Sequence, residues 1–241
     1  MEFESVDIIS SYCNNDFIKS ENSNTLLVFL PAVNGKDIYP YYPRRSWGKE
    51  LSKKYHVLYI SDPYQPLTEY NQSMGSWFVS PEGASTIEIL AEKIKLFMIE
   101  ISVENVIFYG SSMGGYAAMI LSSLIKDSKA IAECPQIYLS KHPGSRFVCE
   151  NILDKDTSHY LIEPFNFLKD GKQRYINISC SIFDRHFGDH ILPFLEECKG
   201  LPIAGNSSIS VNIYNDSSYK KGHVALRKED AFALLKRVDE I

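Results

Sequence analysis

The feature that most constrains this sequence is the junction at residues 105–119, NVIFYGSSMGGYAAM, where β-favouring residues run directly into glycine and serine. Small residues at helical spacing follow at once, so the stretch predicts a buried strand that turns sharply into a helix. Gly110 and Gly114 flank Ser112 at equal distances along the chain. Glycines at these positions leave room for a tight turn that lifts the serine hydroxyl above the edge of a sheet.

Strand-like and helix-like stretches alternate along most of the chain, without a linker or an internal repeat. The strand candidates are continuously apolar, which is typical of parallel strands covered on both faces. We therefore expect one α/β domain over residues 1–241, with a mostly parallel, doubly wound sheet. The predicted strands are residues 25–30, 56–60, 105–109, 129–134, 174–183 and 208–214. The predicted helices are residues 85–101, 114–125, 189–199 and 229–238.

Three further features complete the predicted organisation. Ser85 and Glu88 have the spacing of a capping box at the start of the first of these helices. The first two dozen residues predict one or two antiparallel edge strands. Residues 135–170 contain no clear strand, and we expect a small helical insertion that acts as a lid and sets substrate choice.

Composition limits the partners and the compartment. The formal net charge is −5 and there is no basic run, which argues against nucleic acid or an anionic membrane as the partner. The longest apolar runs are far shorter than the ~20 residues of a membrane span, and the N-terminal residues lack the basic region of a secretory signal. Five cysteines without a closely spaced pair indicate buried thiols in a reducing compartment, so a soluble cytoplasmic location is expected.

A Gly-x-Ser-x-Gly-Gly turn between a strand and a helix is the nucleophile elbow of the α/β-hydrolase fold. Ser112, rather than Ser111, occupies the nucleophile position, and the amide of Met113 would then lie at a helix N-terminus where it can stabilise an oxyanion. The alternative is a turn that only permits tight packing or holds a phosphate. A phosphate loop or a dinucleotide site would need a different glycine spacing, which is absent here.

A serine nucleophile needs a histidine base, and the base needs an orienting carboxylate. In this fold the acid and then the histidine follow later strands. Asp184 comes directly after the strand at 174–183, and His223 lies between the last strand and the last helix. Asp189 is a rival for the acid, and Glu163 is a remote one.

The other five histidines fit the role of base less well. His56 precedes the elbow, while His142 and His159 lie in the insertion, so all three are out of the expected chain order. His186 and His190 follow the acid too closely, and we expect them to be hydrogen-bonded loop residues or contacts near the site. The segment DRHFGDH that contains them lacks the spacing of metallo-hydrolase ligands, so no metal is predicted.

A second oxyanion donor is expected in the loop at residues 31–37, after the first predicted strand. Proline has no amide hydrogen, so Ala32 or Val33 is the better candidate. Beyond this loop, Arg44 and Arg45 could hold an anionic substrate group, and Trp77 could form a sugar platform. The alternative is that the arginines belong to a surface loop and that Trp77 contributes packing.

These motifs together resemble a bacterial group linked to surface polysaccharides, which includes capsule O-acetyltransferases of the α/β-hydrolase fold. The resemblance rests on FYGSSMGGYAAM, AECPQIYLS, INISCSIFDRHF and KKGHVAL. It implies a triad of Ser112, Asp184 and His223. For the acetyltransferase members it also implies acetyl-CoA as the donor and a glycan hydroxyl as the acceptor.

The sequence therefore predicts a serine enzyme that works through an acyl-Ser112 intermediate. Hydrolysis of a small acyl ester, which includes carbohydrate-linked esters, ranks first and requires no cofactor. The alternative is O-acetyl transfer to a surface polysaccharide hydroxyl, with acetyl-CoA as co-substrate. A third hypothesis is a non-catalytic relative that acts in polysaccharide or glycoprotein export. Acyl chain length, acceptor and oligomeric state have no signal in the sequence.

Overall fold

The computed structural model describes residues 15–36, 38–170, 174–200, 208–215 and 222–241. Within these residues, seven strands form one sheet. They are β1 (Asn15–Ile18), β2 (Thr25–Phe29), β3 (His56–Ile60), β4 (Asn105–Ser111), β5 (Ser128–Glu133), β6 (Arg174–Ser181) and β7 (Ser208–Tyr214). The six strands predicted from apolar runs are all confirmed, with ends that move by up to a few residues.

The order of the strands across the sheet is β1-β3-β2-β4-β5-β6-β7. β1 pairs antiparallel with β3 at one edge, and every other pair is parallel. One antiparallel edge strand is therefore confirmed near the N-terminus, while the prediction for residues 1–14 lies outside the described residues. Because β4, β6 and β7 run in the same direction, the segments that follow them meet at one edge of the sheet.

Seven α-helices lie in the described part of the chain. They are α1 (Gly48–Leu51), α2 (Ile87–Glu100), α3 (Met113–Leu124), α4 (Pro143–Asn151), α5 (Pro164–Phe167), α6 (Leu192–Cys198) and α7 (Lys228–Asp239). The helix predicted at 189–199 starts as a π-type turn, Phe187–Ile191, and continues as α6. The other three predicted helices correspond to α2, α3 and α7.

The predicted capping box at the start of α2 is wrong. Ser85 forms an antiparallel bridge with Val79, so its backbone is extended and the helix begins later. Thr86 is the N-cap residue, and its hydroxyl donates to the carbonyl of Phe78 at 2.7 Å instead of to the helix. Tertiary pairing has thus overridden a local capping pattern.

Hydrophobic residues are buried on both faces of the sheet, as expected for a doubly wound fold. Leu26 and Val28 of β2 join a cluster that includes α2 and α3. Leu27 and Phe29 point to the other face, where they join a second cluster that includes α7. The alternation follows from the two-residue period of a strand. The sheet is thus a rigid layer between two cores, and α3 is held tightly against one of them.

The region predicted as an insertion, residues 135–170, contains α4, α5 and short 3₁₀ turns. The Tyr116 hydroxyl of α3 donates to the carbonyl of Ile162 at 2.6 Å, which ties the region to the helix that follows the elbow. Its role as a lid stays a prediction. In the part of the chain that the structure describes, no helix has the length and apolar character needed to cross a membrane.

Candidate active site

The turn between β4 and α3 has a strained backbone at Ser112. Its φ of 58° and ψ of −117° lie in a region that residues with a side chain rarely adopt, at a cost of about 1–3 kcal/mol. A Cβ on Gly110 would collide with the carbonyl of Gly114. A Cβ on Gly114 would lie 2.8 Å from the carbonyl oxygen of Pro31, so both flanking glycines are required by close approach of the backbone.

Backbone hydrogen bonds hold Ser112 to the segment after β5. The Ser112 amide donates to the carbonyl of Glu133 at 2.9 Å, and the Gln136 amide donates to the carbonyl of Ser112 at 3.3 Å. Ser112 is 3% exposed. Its hydroxyl oxygen is buried and has no hydrogen-bond partner among the described residues, so no bond to a base is formed in this state. Such bonds are often long in unliganded enzymes.

Asp184 and His223 form a hydrogen-bonded pair beyond β6 and β7. The Nδ1 of His223 lies 2.7 Å from Oδ2 of Asp184, and the Asp184 side chain is fully buried. The other carboxylate oxygen of Asp184 accepts a bond from the His186 amide at 2.9 Å. Asp189, the rival acid, instead binds Nε of Arg185 at 2.5 Å. The structure therefore brings His223 to Asp184 and not to Asp189.

The pair shifts both pKa values and defines the histidine tautomer. Burial raises the pKa of Asp184, but the hydrogen bonds from His223, from the Cys134 thiol and from the His186 amide outweigh it and leave the pKa at about 2. Burial lowers the pKa of His223, but the hydrogen bonds with Asp184 and with Cys134 outweigh it and raise this pKa above its ordinary value. Because an ionised carboxylate only accepts, Nδ1 of His223 carries the hydrogen, and Nε2 of the neutral ring is free to accept a proton.

The side chains of Met113 and Val33, two residues predicted to donate backbone bonds to the oxyanion, lie close to each other. A Cβ on Gly75 would lie 2.7 Å from Sδ of Met113 and 3.1 Å from Cγ1 of Val33, so these two side chains converge on one point. Gln65 fixes the loop by donating to the carbonyl of Ala32 at 3.1 Å. Among the described residues, the amides of Met113, Ala32 and Val33 make no hydrogen bond. The Met113 amide also lies at the N-terminus of α3, where the helix dipole favours negative charge.

Only one group of three possible metal ligands occurs among the described residues. It consists of Cys134, Asp184 and His223, whose ligand atoms lie within 4.8 Å of one another. A hydrogen bond with Cys180, together with burial, raises the pKa of the Cys134 thiol far above its ordinary value, so it is a poor thiolate ligand. Two of the three groups are already bonded to each other. The arrangement therefore fits a buried thiol beside an acid–histidine pair better than a metal centre.

A cluster of histidines extends this pair toward the insertion. The ring centroid of His186 lies 4.4 Å from that of His223 and 5.9 Å from that of His142. Nδ1 of His186 bonds the carbonyl of Cys134 at 2.9 Å, and Nδ1 of His190 accepts from the Tyr138 amide at 3.1 Å. His186 and His190 are thus hydrogen-bonded near the site, as predicted.

A pocket of about 420 Å³ opens beside His223 and Asp184. Lys141 of the 135–170 region contributes positive charge to its wall, whereas Arg185 in the same wall is paired with Asp189. Burial lowers the pKa of His142, which also lines the pocket, to about 4, so its ring is neutral at physiological pH. The pocket can therefore accept a negatively charged group beside Lys141. The neutral ring of His142 adds no positive charge next to His223.

The three candidate substrate contacts are placed elsewhere. Arg44 forms an ion pair with the fully buried carboxylate of Glu133. Arg45 binds Asp16 of β1 at 2.7 Å, at the edge of the sheet opposite β7. Trp77 is fully buried and donates from its indole nitrogen to Oε1 of Gln136 at 2.9 Å. None of the three lines the pocket beside His223.

Two residues that sequence reasoning missed, Glu133 and Gln136, lie at this site, together with the backbone amide of His186, a residue that it had placed nearby. Glu133 accepts from the Ser112 amide, Gln136 donates to the Ser112 carbonyl, and the His186 amide holds Asp184. The sequence does contain a signal for Glu133 and Gln136, because both lie at the carboxyl end of β5, the strand next to the elbow. Ligands of an open α/β sheet bind at the carboxyl ends of its strands. Nothing local marks the amide of His186.

No family model matches the sequence, and no curated protein matches it. Solved structures do match. The capsule O-acetyltransferase of Neisseria meningitidis serogroup A is 20% identical, with 95% of this chain and 89% of that chain covered and a TM-score of 0.64. The S-formylglutathione hydrolase from Agrobacterium tumefaciens is 16% identical, with 90% of this chain and 88% of that chain covered and a TM-score of 0.57. Acetyl xylan esterase 1 from Thermoanaerobacterium sp. is 14% identical, with 92% of this chain and 77% of that chain covered and a TM-score of 0.59.

Identities this low establish the fold alone. Together with the mostly parallel seven-stranded sheet and the turn at Ser112, they show that the chain has the α/β-hydrolase fold that the sequence predicted.

Proposed function

We propose that this protein is a serine acyl-transfer enzyme that hydrolyses small carboxylic esters through an acyl-Ser112 intermediate. The observation that carries the proposal is the 2.7 Å hydrogen bond between Asp184 and His223, at the sheet edge where Ser112 occupies a strained turn. A non-catalytic relative would gain nothing from a buried carboxylate that raises the pKa of a histidine beside such a turn. The pocket next to His223 would admit the substrate.

In the proposed reaction, Oγ of Ser112 attacks the ester carbonyl while Nε2 of His223 takes its proton. Asp184 holds the imidazole in the required tautomer and stabilises the charge that forms on it. The amide of Met113, with that of Ala32 or Val33, donates hydrogen bonds to the oxyanion. His223 then returns the proton to the leaving alcohol, and water attacks the acyl-enzyme by the same route in reverse.

The test is turnover of p-nitrophenyl acetate by the wild type and by Ser112→Ala. Loss of the nucleophile is expected to lower the rate by about 10⁴- to 10⁶-fold, because the covalent route disappears. A serine-directed phosphonate should add one adduct mass to the wild type and none to the variant. Ser111→Ala is the matched control and should still be labelled. Equal turnover by the wild type and Ser112→Ala would rule out the proposal.

A second candidate is O-acetyl transfer from acetyl-CoA to a glycan hydroxyl. It is favoured by the capsule O-acetyltransferase similarity, since one structure of that enzyme is described as a complex with CoA. Lys141 would offer positive charge to the donor phosphates. The compartment would then be one that holds acetyl-CoA, in keeping with the predicted cytoplasmic location.

Acetyl-CoA consumption, followed with and without candidate glycans, separates the two reactions. A transferase should release CoA at least tenfold faster when an acceptor is present, because the acyl-enzyme then has a better-positioned nucleophile than water. Acetyl release at the same rate with and without every acceptor would favour the hydrolase. Ser112→Ala should abolish either activity.

A further inference from the structure

Gln136 lies against the elbow but has no part in the reaction described above. It follows β5 and is 1% exposed. Its backbone amide donates to the carbonyl of Ser112 at 3.3 Å, so the two residues are joined directly. The side chain reaches across to Trp77, which lies in a different loop. The question is what the rest of the amide group contacts.

The orientation of the Gln136 amide follows from its contact with Trp77. The indole nitrogen lies 2.9 Å from the amide and can only donate, so the atom facing it must be the oxygen, Oε1. The nitrogen, Nε2, therefore points away with two hydrogens to donate. It is buried and has no acceptor among the described residues. An unpaired buried donor is unfavourable, so a bound group that offered an acceptor at this point would be stabilised.

The Ser112 hydroxyl is in the same condition. It too is buried without a hydrogen-bond partner among the described residues. Two unpaired polar groups therefore occur on residues that share a backbone hydrogen bond. One is the proposed nucleophile, and the other is a neutral donor. A carbonyl group that is attacked by the first and accepts a bond from the second would satisfy both.

The loop that carries Trp77 has a strained backbone that is held by hydrogen bonds, which supports a defined orientation for Gln136. Met74, Trp77 and Phe78 all have positive φ values, of 58°, 51° and 58°. Asp62 holds the loop by accepting from the Ser76 hydroxyl at 2.6 Å and from its amide at 2.9 Å. Strain of this kind persists at functional sites where the surroundings determine the backbone. The same loop contains Gly75, on which Met113 and Val33 converge.

We propose that Gln136 is a further catalytic residue, whose Nε2 donates to the substrate carbonyl oxygen as Ser112 attacks, and that Trp77 is the residue that positions it. This assignment rests on the proposed function. As the bond from Oγ of Ser112 to the carbonyl carbon forms, its proton passes to His223. The carbonyl π electrons move to the oxygen, where the Gln136 amide and the Met113 amide stabilise them. The leaving alcohol then takes the proton from His223.

The test compares the acylation rate with the affinity for a reversible transition-state analogue, a trifluoromethyl ketone. Gln136→Met keeps the volume and removes the donor, and it should lower kcat/KM for p-nitrophenyl acetate by about 100-fold. The inhibition constant of the ketone should rise by the same factor, which a merely structural change would not produce. Asn151→Met, at the exposed end of α4, is the control and should leave both values unchanged.

Trp77→Phe tests the positioning role, because it keeps Nε2 but frees the amide to rotate. It should lower kcat/KM by about tenfold, and the double variant should be no worse than Gln136→Met alone, since both changes remove one interaction. If the loss of kcat/KM in the double variant equals the product of the losses in Trp77→Phe and Gln136→Met, Trp77 does not act through Gln136. If Gln136→Met does not fold, Gln136→Glu carries the same expectation, since it keeps the acceptor for Trp77 and replaces the donor with an oxygen.

An acylation rate in Gln136→Met equal to that of the wild type would overturn the assignment, as would a loss confined to deacylation, which would place Nε2 on the acyl acceptor. These outcomes differ from failure of the proposed function. In that case Ser112→Ala would retain full turnover, and the phosphonate would not label Ser112. Labelling of Ser112 in both the wild type and Gln136→Met, with only the variant slow, supports both proposals.

Discussion

Neighbouring residues of one type can have different surroundings, and Arg44 and Arg45 illustrate this. The guanidinium of Arg44 pairs with Glu133 and lies 4.8 Å from the ring centroid of Tyr109, with its side chain 8% exposed. Glu133 also accepts a bond from the Tyr109 hydroxyl. The side chain of Arg45 is 50% exposed in its pair with Asp16. Arg44 thus neutralises a buried carboxylate beneath the elbow, whereas Arg45 contributes little.

At the same scale, we predict that Asp184→Asn lowers kcat by about 10⁴-fold, because an amide no longer holds His223 in the proton-accepting tautomer. The pKa of His223, raised in the wild type mainly by the bond to Asp184, should fall. Activity needs the neutral ring, so the rising limb of the pH–rate profile should move to lower pH. Rate profiles and an NMR titration of the ring would measure both effects.

Asp189→Asn is the matched control, because this carboxylate binds Arg185 rather than His223. It should retain close to wild-type activity and an unchanged profile. A large loss in this variant, with little change in Asp184→Asn, would make Asp189 the functional acid.

At the scale of elements, Glu163 connects two parts of the region at residues 135–170. Its carboxylate accepts a bond from the Leu139 amide at 2.8 Å. Burial is the larger effect and raises the pKa of Glu163 to about 7. The folded protein therefore binds this proton more tightly than the unfolded chain does, in which the pKa of this carboxyl is 4.5. Stability is accordingly lost as the pH rises from about 4.5 to about 7, and no more is lost from this group above that range.

We predict that Glu163→Gln removes this part of the pH dependence. Glutamine keeps an acceptor for the Leu139 amide and carries no charge, so the variant should unfold at a higher temperature than the wild type at pH 8. The two proteins should differ less at pH 5. Thermal unfolding at both values measures this, and Glu150→Gln, exposed on α4, should show no such difference. If Glu163→Gln is less stable than the wild type at pH 8, ionisation of buried Glu163 is not what lowers the stability at high pH.

On the scale of the whole molecule, the two hydrophobic cores have separate tasks. The core on the face of α2 and α3 supports the elbow, since Met113, Tyr116 and Ala117 belong to it. The core on the other face is closed by α7, through Leu235 and its neighbours. The sheet separates α7 from Ser112, so a defect at Leu235 should reach the elbow only through that layer, whereas Val224, next to His223, packs against the second core.

Leu235→Ala should therefore destabilise the protein by about 2–5 kcal/mol, the usual cost of such a cavity, yet leave kcat/KM of the folded protein nearly unchanged. Urea unfolding and turnover of p-nitrophenyl acetate at low temperature would test this. Arg237→Ala on the same helix is the control and should change neither. A tenfold loss of kcat/KM in folded Leu235→Ala would show that the two faces are coupled.

Local patterns in the sequence determined a large part of this protein. The apolar runs at 25–30 and 105–109 predicted parallel strands, and the glycines around Ser112 predicted the turn, because strand period and backbone sterics act between near neighbours. Chain order alone brought Asp184 and His223 forward as candidates.

The tertiary structure alone decided which groups meet. It joined His223 to Asp184 rather than Asp189, gave Arg44 a buried partner in Glu133, and fixed Gln136 through Trp77. It also replaced the predicted cap at Ser85 by a bridge to Val79. These contacts join segments that lie far apart in sequence or compete with local preferences, and their geometry is set by how the sheet and its two cores pack.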